Sequence, residues 1–352
     1  IVTVVRAMVA NGAEGPFARP GQHEATHGTG VASLDQRLDD LITGAAGFLG
    51  SALANRLAAI DNVVLGLDDL STGDPNSLNQ QVQLTVGDVN DRPKLWSLLQ
   101  RVDCVYHLAA MVSVQESVLY PREYNHVNVG GTVTLMEAMR DVGVRRVVFI
   151  SSGTVYGNQP QQPVNESAIP NPRAPYAVSK VAAEYYVKSI GSLWGIETVC
   201  LRVFNAYGPG QHIPPVHTPV IPSFLRQAAE NGTIVIHGDG SQTRDYVYVD
   251  DVVEGMISAA DAPDVNQLTI NIGSGTETSV KELSRLAVEL TGGKPEIVYN
   301  PRSEGGLSRL CADISAARQL LDYEPKIELS DGLAKTLAFI NGKAQHNNTS
   351  AD

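Results

Sequence analysis

Cysteine, basic charge and long apolar runs are all scarce in this chain, and each scarcity closes off a class of protein. Three cysteines in 352 residues, Cys104, Cys200 and Cys311, are too few and too scattered for a disulfide framework or a zinc cluster, and they predict a reducing, cytoplasmic setting. Lysine and arginine total 26 against 38 aspartate and glutamate, a formal net charge of −12. That balance argues against a nucleic-acid partner, while a local basic site for a phosphorylated ligand stays possible. No apolar run approaches the ~20 residues that cross a bilayer. The opening stretch, 1–10, is apolar but short, with no cleavage pattern after it, so no membrane association is expected. The remainder is ordinary for a globular protein, 43% hydrophobic and 18% charged, and long enough for a large core in one domain or two.

Residues 1–37 are rich in Gly, Pro and Ala without a sustained period and read as an irregular extension. Within them His23-Glu24-Ala25-Thr26-His27 matches the His-Glu-x-x-His of zinc hydrolases, a chemistry that needs both histidines on one face of a helix. Pro20-Gly21 before it and Gly28-Thr29-Gly30 after it argue against that helix. The match reads as coincidence, and no metal is expected.

From residue 38 the texture is regular. A strand at 41–43 runs into Gly44-Ala45-Ala46-Gly47-Phe48-Leu49-Gly50 and then an Ala/Leu-rich helix over 51–59, the context a dinucleotide fingerprint needs. Gly44 allows a tight turn, Gly47 lets backbone approach a pyrophosphate, and Gly50 lets helix pack on strand. Asp39 and Asp40 spoil the apolar run that a buried parallel strand calls for. A second strand over 63–67 ends in Asp68-Asp69, acids placed to accept hydrogen bonds from a ribose and to repel a 2′-phosphate, which selects NAD over NADP. After the strand 82–86, Asp88 is placed for the adenine amino group. The buried strand at 104–107 opens onto the small residues Ala109 and Ala110, where bulk would obstruct a cofactor. A helix holding Asn128 and ending near Gly143 leads to the strand 147–150, whose end carries the hydroxyls Ser151, Ser152 and Thr154.

Strands and helices alternate from 41 to about 202, predicting an α/β fold with a Rossmann-type doubly wound parallel sheet. Prolines 209, 214, 215, 219 and 222 then break the alternation. The expected division is an NAD-binding domain over 38–204, a smaller substrate-binding lobe over 205–340 with segments returning to the sheet, and a polar tail at 341–352. In Tyr176-Ala177-Val178-Ser179-Lys180 a phenol and an ammonium lie four residues apart, on one face of a helix. A neighbouring ammonium is expected to lower the phenol's pKa from about 10 and make it a usable acid/base.

These segments, in this order, resemble the extended short-chain dehydrogenase/reductases that act on nucleotide sugars. The resemblance covers about 41–340 and includes Thr43-Gly44-Ala45-Ala46-Gly47-Phe48-Leu49-Gly50, Asp68-Asp69-Leu70-Ser71-Thr72-Gly73, His107-Leu108-Ala109-Ala110 and Ser151-Ser152-Gly153-Thr154-Val155-Tyr156-Gly157. It continues with Arg202-Val203-Phe204-Asn205-Ala206-Tyr207-Gly208-Pro209 and with Gly238-Asp239-Gly240-Ser241-Gln242-Thr243-Arg244-Asp245. It implies that Ser152, Tyr176 and Lys180 are catalytic, with Tyr176 the acid/base on a sugar hydroxyl, Lys180 on the nicotinamide ribose and Ser152 on the reacting oxygen. Phe48, Leu49, Val89, Leu108, Asn128 and Phe204 would complete the NAD contacts, and Thr154, Asn205, Arg244 and Arg302 would meet the nucleotide-diphosphate sugar. A homodimer through helices near 125–140 and 176–190 is implied as well.

The family's chemistries divide on the residues after the catalytic Ser or Thr. Dehydratases place Asp-Glu there, uronate decarboxylases a Glu at the second position, and 3,5-epimerases a Cys at that position. Gly153 and Thr154 are none of these, which implies a nucleotide-sugar 4-epimerase, most like those acting on UDP-glucose and UDP-N-acetylglucosamine. The alternatives are a 4-keto-sugar reductase, another family dehydrogenase or dehydratase, or an idle NAD-sensing protein, and the intact Ser/Tyr/Lys set speaks against the last. One departure concerns the substrate: where the family has Arg-x-Gly-Asp this chain has Ser303-Glu304-Gly305-Gly306, with Arg302 displaced by one. Leu310 stands at the family's size-gating position, and His212 and His217 read as loop residues.

Overall fold

The computed structural model describes residues 39–349, apart from 61, 215–217 and 302–306. The histidine motif at 23–27 and His217 therefore lie outside the described residues. The first half runs β1 (Asp39–Thr43), α1 (Phe48–Ala58), β2 (Val63–Asp68), β3 (Gln83–Val86), α2 (Arg92–Leu98), β4 (Cys104–His107), α3 (Val114–Leu119), α4 (Pro121–Asn125), α5 (Thr132–Val142), β5 (Arg146–Ser152), α6 (Pro175–Trp194) and β6 (Glu197–Val203). The second half runs β7 (Asn205–Tyr207), α7 (Val220–Ala229), β8 (Thr233–His237), β9 (Thr243–Tyr248), α8 (Val249–Asp261), β10 (Leu268–Ile272), β11 (Glu277–Ser279), α9 (Val280–Thr291), β12 (Glu296–Asn300), α10 (Ser315–Leu321) and α11 (Leu329–Thr349).

Seven strands form one sheet in the order β10-β6-β5-β4-β1-β2-β3, and every pairing in it is parallel. Successive strand residues face opposite sides, so the apolar runs feed two cores. Ile42, Tyr106, Val148, Ile150 and Leu201 join one core with Leu53 and Leu57 of α1 and Val252 and Met256 of α8. Their neighbours Leu41, Val105, Val147, Phe149 and Cys200 join the other, with Leu95 of α2, Leu135 and Met139 of α5, and Val187 of α6. Burial on both faces is why these strands read as continuous Val/Ile/Leu runs rather than alternating ones. Strand order reverses between β1 and β4, and in such sheets the crevice at the strands' carboxyl ends is where ligands bind. β10 closes the edge beside β6, while β11-β9-β7 and β12-β8 make two small separate sheets.

The acids of β1 are accommodated at the other end of the strand. Asp40 is buried, accepts a 2.8 Å bond from Asn62 Nδ2 on one oxygen, and leaves Oδ1 without a partner among the described residues. Burial, reinforced by Asp261, Asp103 and Asp39 and opposed by the Asn62 bond, raises its pKa to about 7. Because the folded value lies above the unfolded one of about 4, the native state holds the proton more tightly between those limits. Stability therefore falls as pH rises through that window and stays low above it. Asp40→Asn is expected to stabilise the protein by about 1–2 kcal/mol at pH 8 and by much less at pH 5. Urea midpoints at the two pH values check this, and an equal effect at both would contradict it.

Candidate active site

The crevice begins where β1 ends. Gly44 has φ +73°, and a Cβ on it would sit 2.8 Å from the Ala109 nitrogen. A Cβ on Gly50 would lie 1.9 Å from the Gly44 carbonyl, so the first turn of α1 rests directly on the loop. Gly47 is the N-cap of α1 and supplies no side-chain cap. The first-turn N–H groups are thus left to meet an anion, with the helix dipole in support.

Asp68, at the end of β2, is buried. Its Oδ2 accepts from the Ala46 N–H (2.9 Å) and its Oδ1 from the Leu70 N–H (2.8 Å), and each oxygen keeps a second lone pair. Asp69 is exposed and accepts from the backbone and hydroxyl of Ser71. Asp88, also exposed, accepts from the Asn90 N–H, while Val89 is buried where a Cβ on Gly131 would collide with it. Phe48 and Leu49 pack half-buried against the core, and Leu108, Ala109 and Ala110 are half-buried at the end of β4. A glycine cradle with an uncapped helix and acids at the end of β2 fits a dinucleotide.

Two residues gain roles that their sequence context did not show. His107 sits between Thr43 Oγ1 (2.7 Å) and Thr132 Oγ1 (2.9 Å). Thr132 already donates its proton to the Asn128 carbonyl, so Nε2 of His107 must donate and Nδ1 must accept from Thr43. Burial pushes the imidazole down to about 3, with Lys180 acting in the same direction, and the ring is a neutral strut between β1 and α5. Asn128, placed beside the cofactor by the sequence, lies in a π-helical turn over His126–Gly131. Its amide donates to the Met111 carbonyl (3.0 Å) and to Ser179 Oγ (2.9 Å) and accepts from the Met111 N–H (2.8 Å), tying the loop after β4 to α6.

The end of β5 and the start of α6 bring together the three side chains singled out for chemistry. Tyr176 is 8% and Lys180 4% exposed. The Ser152 hydroxyl acts on the Tyr176 phenol, favouring its charged form, and lies 2.9 Å from Thr154 Oγ1. Lys180 Nζ sits 4.5 Å from the centroid of the Phe149 ring, and Tyr124 packs edge-on to Tyr176. The phenol's pKa is raised, not lowered as expected. Burial raises it, and the opposing influence comes from Ser152 rather than from the ammonium. The ammonium is itself lowered to about 8 by burial, against Glu184. Both groups are desolvated, and that cost exceeds their mutual effect.

Two of the residues assigned to substrate, Asn205 and Arg244, fall on the small sheet. Asn205 pairs with Tyr246 and Arg244 lies two residues before Tyr246, so the two share one face. Arg244 is half-buried, donates Nη1 to the Thr243 carbonyl (2.6 Å), and has its pKa lowered by burial. Phe204 is buried, with its ring against Gly153, the neighbour of Ser152, and 6.3 Å from that of Tyr156. Leu310 is buried in the core, and its carbonyl accepts from the Asp245 N–H. Arg302 lies outside the described residues. No cluster of ligating side chains that could hold a metal occurs among those described.

Known proteins share this architecture. The model of the NAD dependent epimerase/dehydratase family matches residues 41–273. A UDP-glucose 4-epimerase of Mycolicibacterium smegmatis is 39% identical over 312 residues, 87% of this chain and 99% of that protein. The crystal structure of a Thermotoga maritima UDP-glucose 4-epimerase with UDP-glucose superposes with a TM-score of 0.84 at 32% identity, covering 87% of this chain and 100% of that one. A UDP-N-acetylglucosamine 4-epimerase from Methanobrevibacter ruminantium in complex with UDP-N-acetylmuramic acid gives a TM-score of 0.83 at 31% identity, over 88% and 99% of the two chains. Glycine cradle, doubly wound sheet and family match agree, and the chain belongs to the NAD dependent epimerase/dehydratase family.

Proposed function

We propose that the protein interconverts the C4 epimers of a UDP-sugar, a hexose, N-acetylhexosamine or uronate, through a transient 4-keto sugar. The observation that carries this reading is the buried Tyr176–Lys180 pair with the half-buried Ser152 at the end of β5, and with Gly153 and Thr154 where a second acid or base would be needed for elimination or decarboxylation. NAD, when bound, supplies an oxidised ring that takes a hydride from C4 and gives it back. It would be held by Gly44, Gly47 and Gly50, by Asp68 and Asp69 at the ribose, and by Lys180.

Tyr176 Oη takes the proton of the 4-hydroxyl and later returns it. Ser152 holds the reacting oxygen, and the Lys180 ammonium supports the phenolate. A 4-keto sugar that turns over before reduction exposes its other face, so one acid/base serves both directions. Arg244 and Asn205 would secure the diphosphate, Arg244 as a charged fork. The relatives known to act on UDP-glucose and UDP-N-acetylglucosamine support UDP as the carrier.

A homodimer formed through 125–140 and 176–190 is part of this reading. The exposed Val178 and Tyr185 of α6 and Val118 and Leu119 of α3 support it. A reducing cytoplasm suits three buried, unpaired cysteines. No helix among the described residues is long and apolar enough to cross a membrane.

The purified protein, with no cofactor added, is expected to convert one of UDP-glucose, UDP-N-acetylglucosamine or UDP-glucuronate into its 4-epimer, followed by proton NMR. No conversion of any of them by protein that contains NAD would contradict the proposal. Tyr176→Phe should lower kcat by about 10³-fold or more while NAD stays bound. Arg244→Ala should raise KM by about 10- to 100-fold with a smaller change in kcat, and an unchanged KM would remove Arg244 from the diphosphate site.

A further inference from the structure

One turn beyond Lys180 on α6 stands Glu184, 4% exposed. Arg202 of β6 donates Nε to its Oε1 (3.0 Å) and Nη2 to its Oε2 (2.8 Å), and Ser151 of β5 donates to Oε1. The guanidinium lies 4.6 Å over the Tyr156 ring, whose hydroxyl donates to Asn271 Oδ1 (2.7 Å). Asn271 in turn donates its backbone N–H to Glu166 and its amide to the Val164 and Asp313 carbonyls. A buried ion pair of this kind is a poor device for stability, because apolar residues of the same volume commonly serve as well or better. Its position beneath the catalytic helix suggests another role.

The groups around the Lys180 ammonium are few. From its own helix comes Glu184, with Tyr176 one turn before it, from β4 His107, from β5 the Phe149 ring, and from β6 Cys200, with Arg202 beyond it. Cys200 is pushed up to about 12 by burial and His107 down to about 3, so both are neutral near pH 7. Glu184 is thus the carboxylate of the set.

We infer that Glu184 is a positioning residue for the reaction: clamped by Arg202 and Ser151, its carboxylate keeps the buried Lys180 ammonium charged and seated beside Tyr176. Without that carboxylate, desolvation of Lys180 is unopposed by any anion of the set, and the ammonium gives up its proton closer to neutrality. The phenol then lacks a cation when it must become phenolate. The inference rests on the assignment of Tyr176 and Lys180 to the reacting carbon.

The test is the pH dependence of kcat at saturating UDP-sugar for the wild type, Glu184→Gln and the double variant Glu184→Gln/Arg202→Met. The double variant removes both buried charges and so avoids an unpaired guanidinium in the core. Wild-type kcat is expected to fall on the basic side near pH 8. In Glu184→Gln that limb should move about one unit toward acid, a loss of roughly tenfold at pH 8.5 and under about threefold at pH 6.5, with KM nearly constant; in the double variant, where the opposing guanidinium charge is gone as well, it should move the same way by less. A basic limb that stays in place in both folded variants would overturn the inference, as would a uniform loss at every pH. Lys180→Met separates the two levels: full activity there would overturn the underlying assignment, whereas lost activity with an unmoved limb in the Glu184 variants overturns this inference alone.

Discussion

Two ionisable side chains that must act together are both buried at the start of one helix, and the energetics of the site follow from that. Tyr176 and Lys180 lie a turn apart on α6 with under a tenth of either surface exposed. Desolvation drives the phenol and the ammonium toward their neutral forms, so each needs a partner that restores charge on demand. Ser152 does this for the phenol from the end of β5, and Glu184 acts on the ammonium from the next turn of α6. A cationic ring in the crevice would add what the chain alone does not supply.

The sheet exists around that need as scaffold and as address. Parallel pairing lines up the carboxyl ends of β1, β4 and β5, so the glycine loop, the small residues after β4 and Ser152 open on one edge. The order reverses between β1 and β4, and helices from the two sides part there. His107 braces β1 against α5 and Asn128 ties the loop after β4 to α6, so the cofactor side and the phenol side are joined by hydrogen bonds rather than by packing alone. Such bonding limits how far the reacting groups can drift apart.

The chain announces its parallel sheet and its glycine turn because both are local: apolar runs between spaced glycines and small residues are visible in any window of ten. Asp40 is the exception in β1, tolerated because Asn62 meets one oxygen and burial keeps a proton on the carboxyl well above its ordinary range. Long-range contacts stay hidden. A single histidine in a buried strand looks like core, and only the fold shows Thr43 and Thr132 at its two nitrogens. The pairing of Asn205 with Tyr246 joins a strand of three residues to one about forty positions later, too short to carry a period. Phe204 stands beside Asn205 in the sequence, yet it turns inward against Gly153. Glu184 offered a signal in its spacing of four from Lys180, but its clamp by Arg202 appears only when β6 is laid beside β5.

Epimerisation by this route takes a single hydride from C4 and returns it to the same carbon within one active site. A UDP-sugar labelled with deuterium at C4, incubated with the purified protein and no added cofactor, measures this directly. The predicted result is a 4-epimer that retains its deuterium at C4 and takes up none from the solvent at C3 or C5. Loss of the label to water, or solvent exchange at C3 or C5, would contradict it.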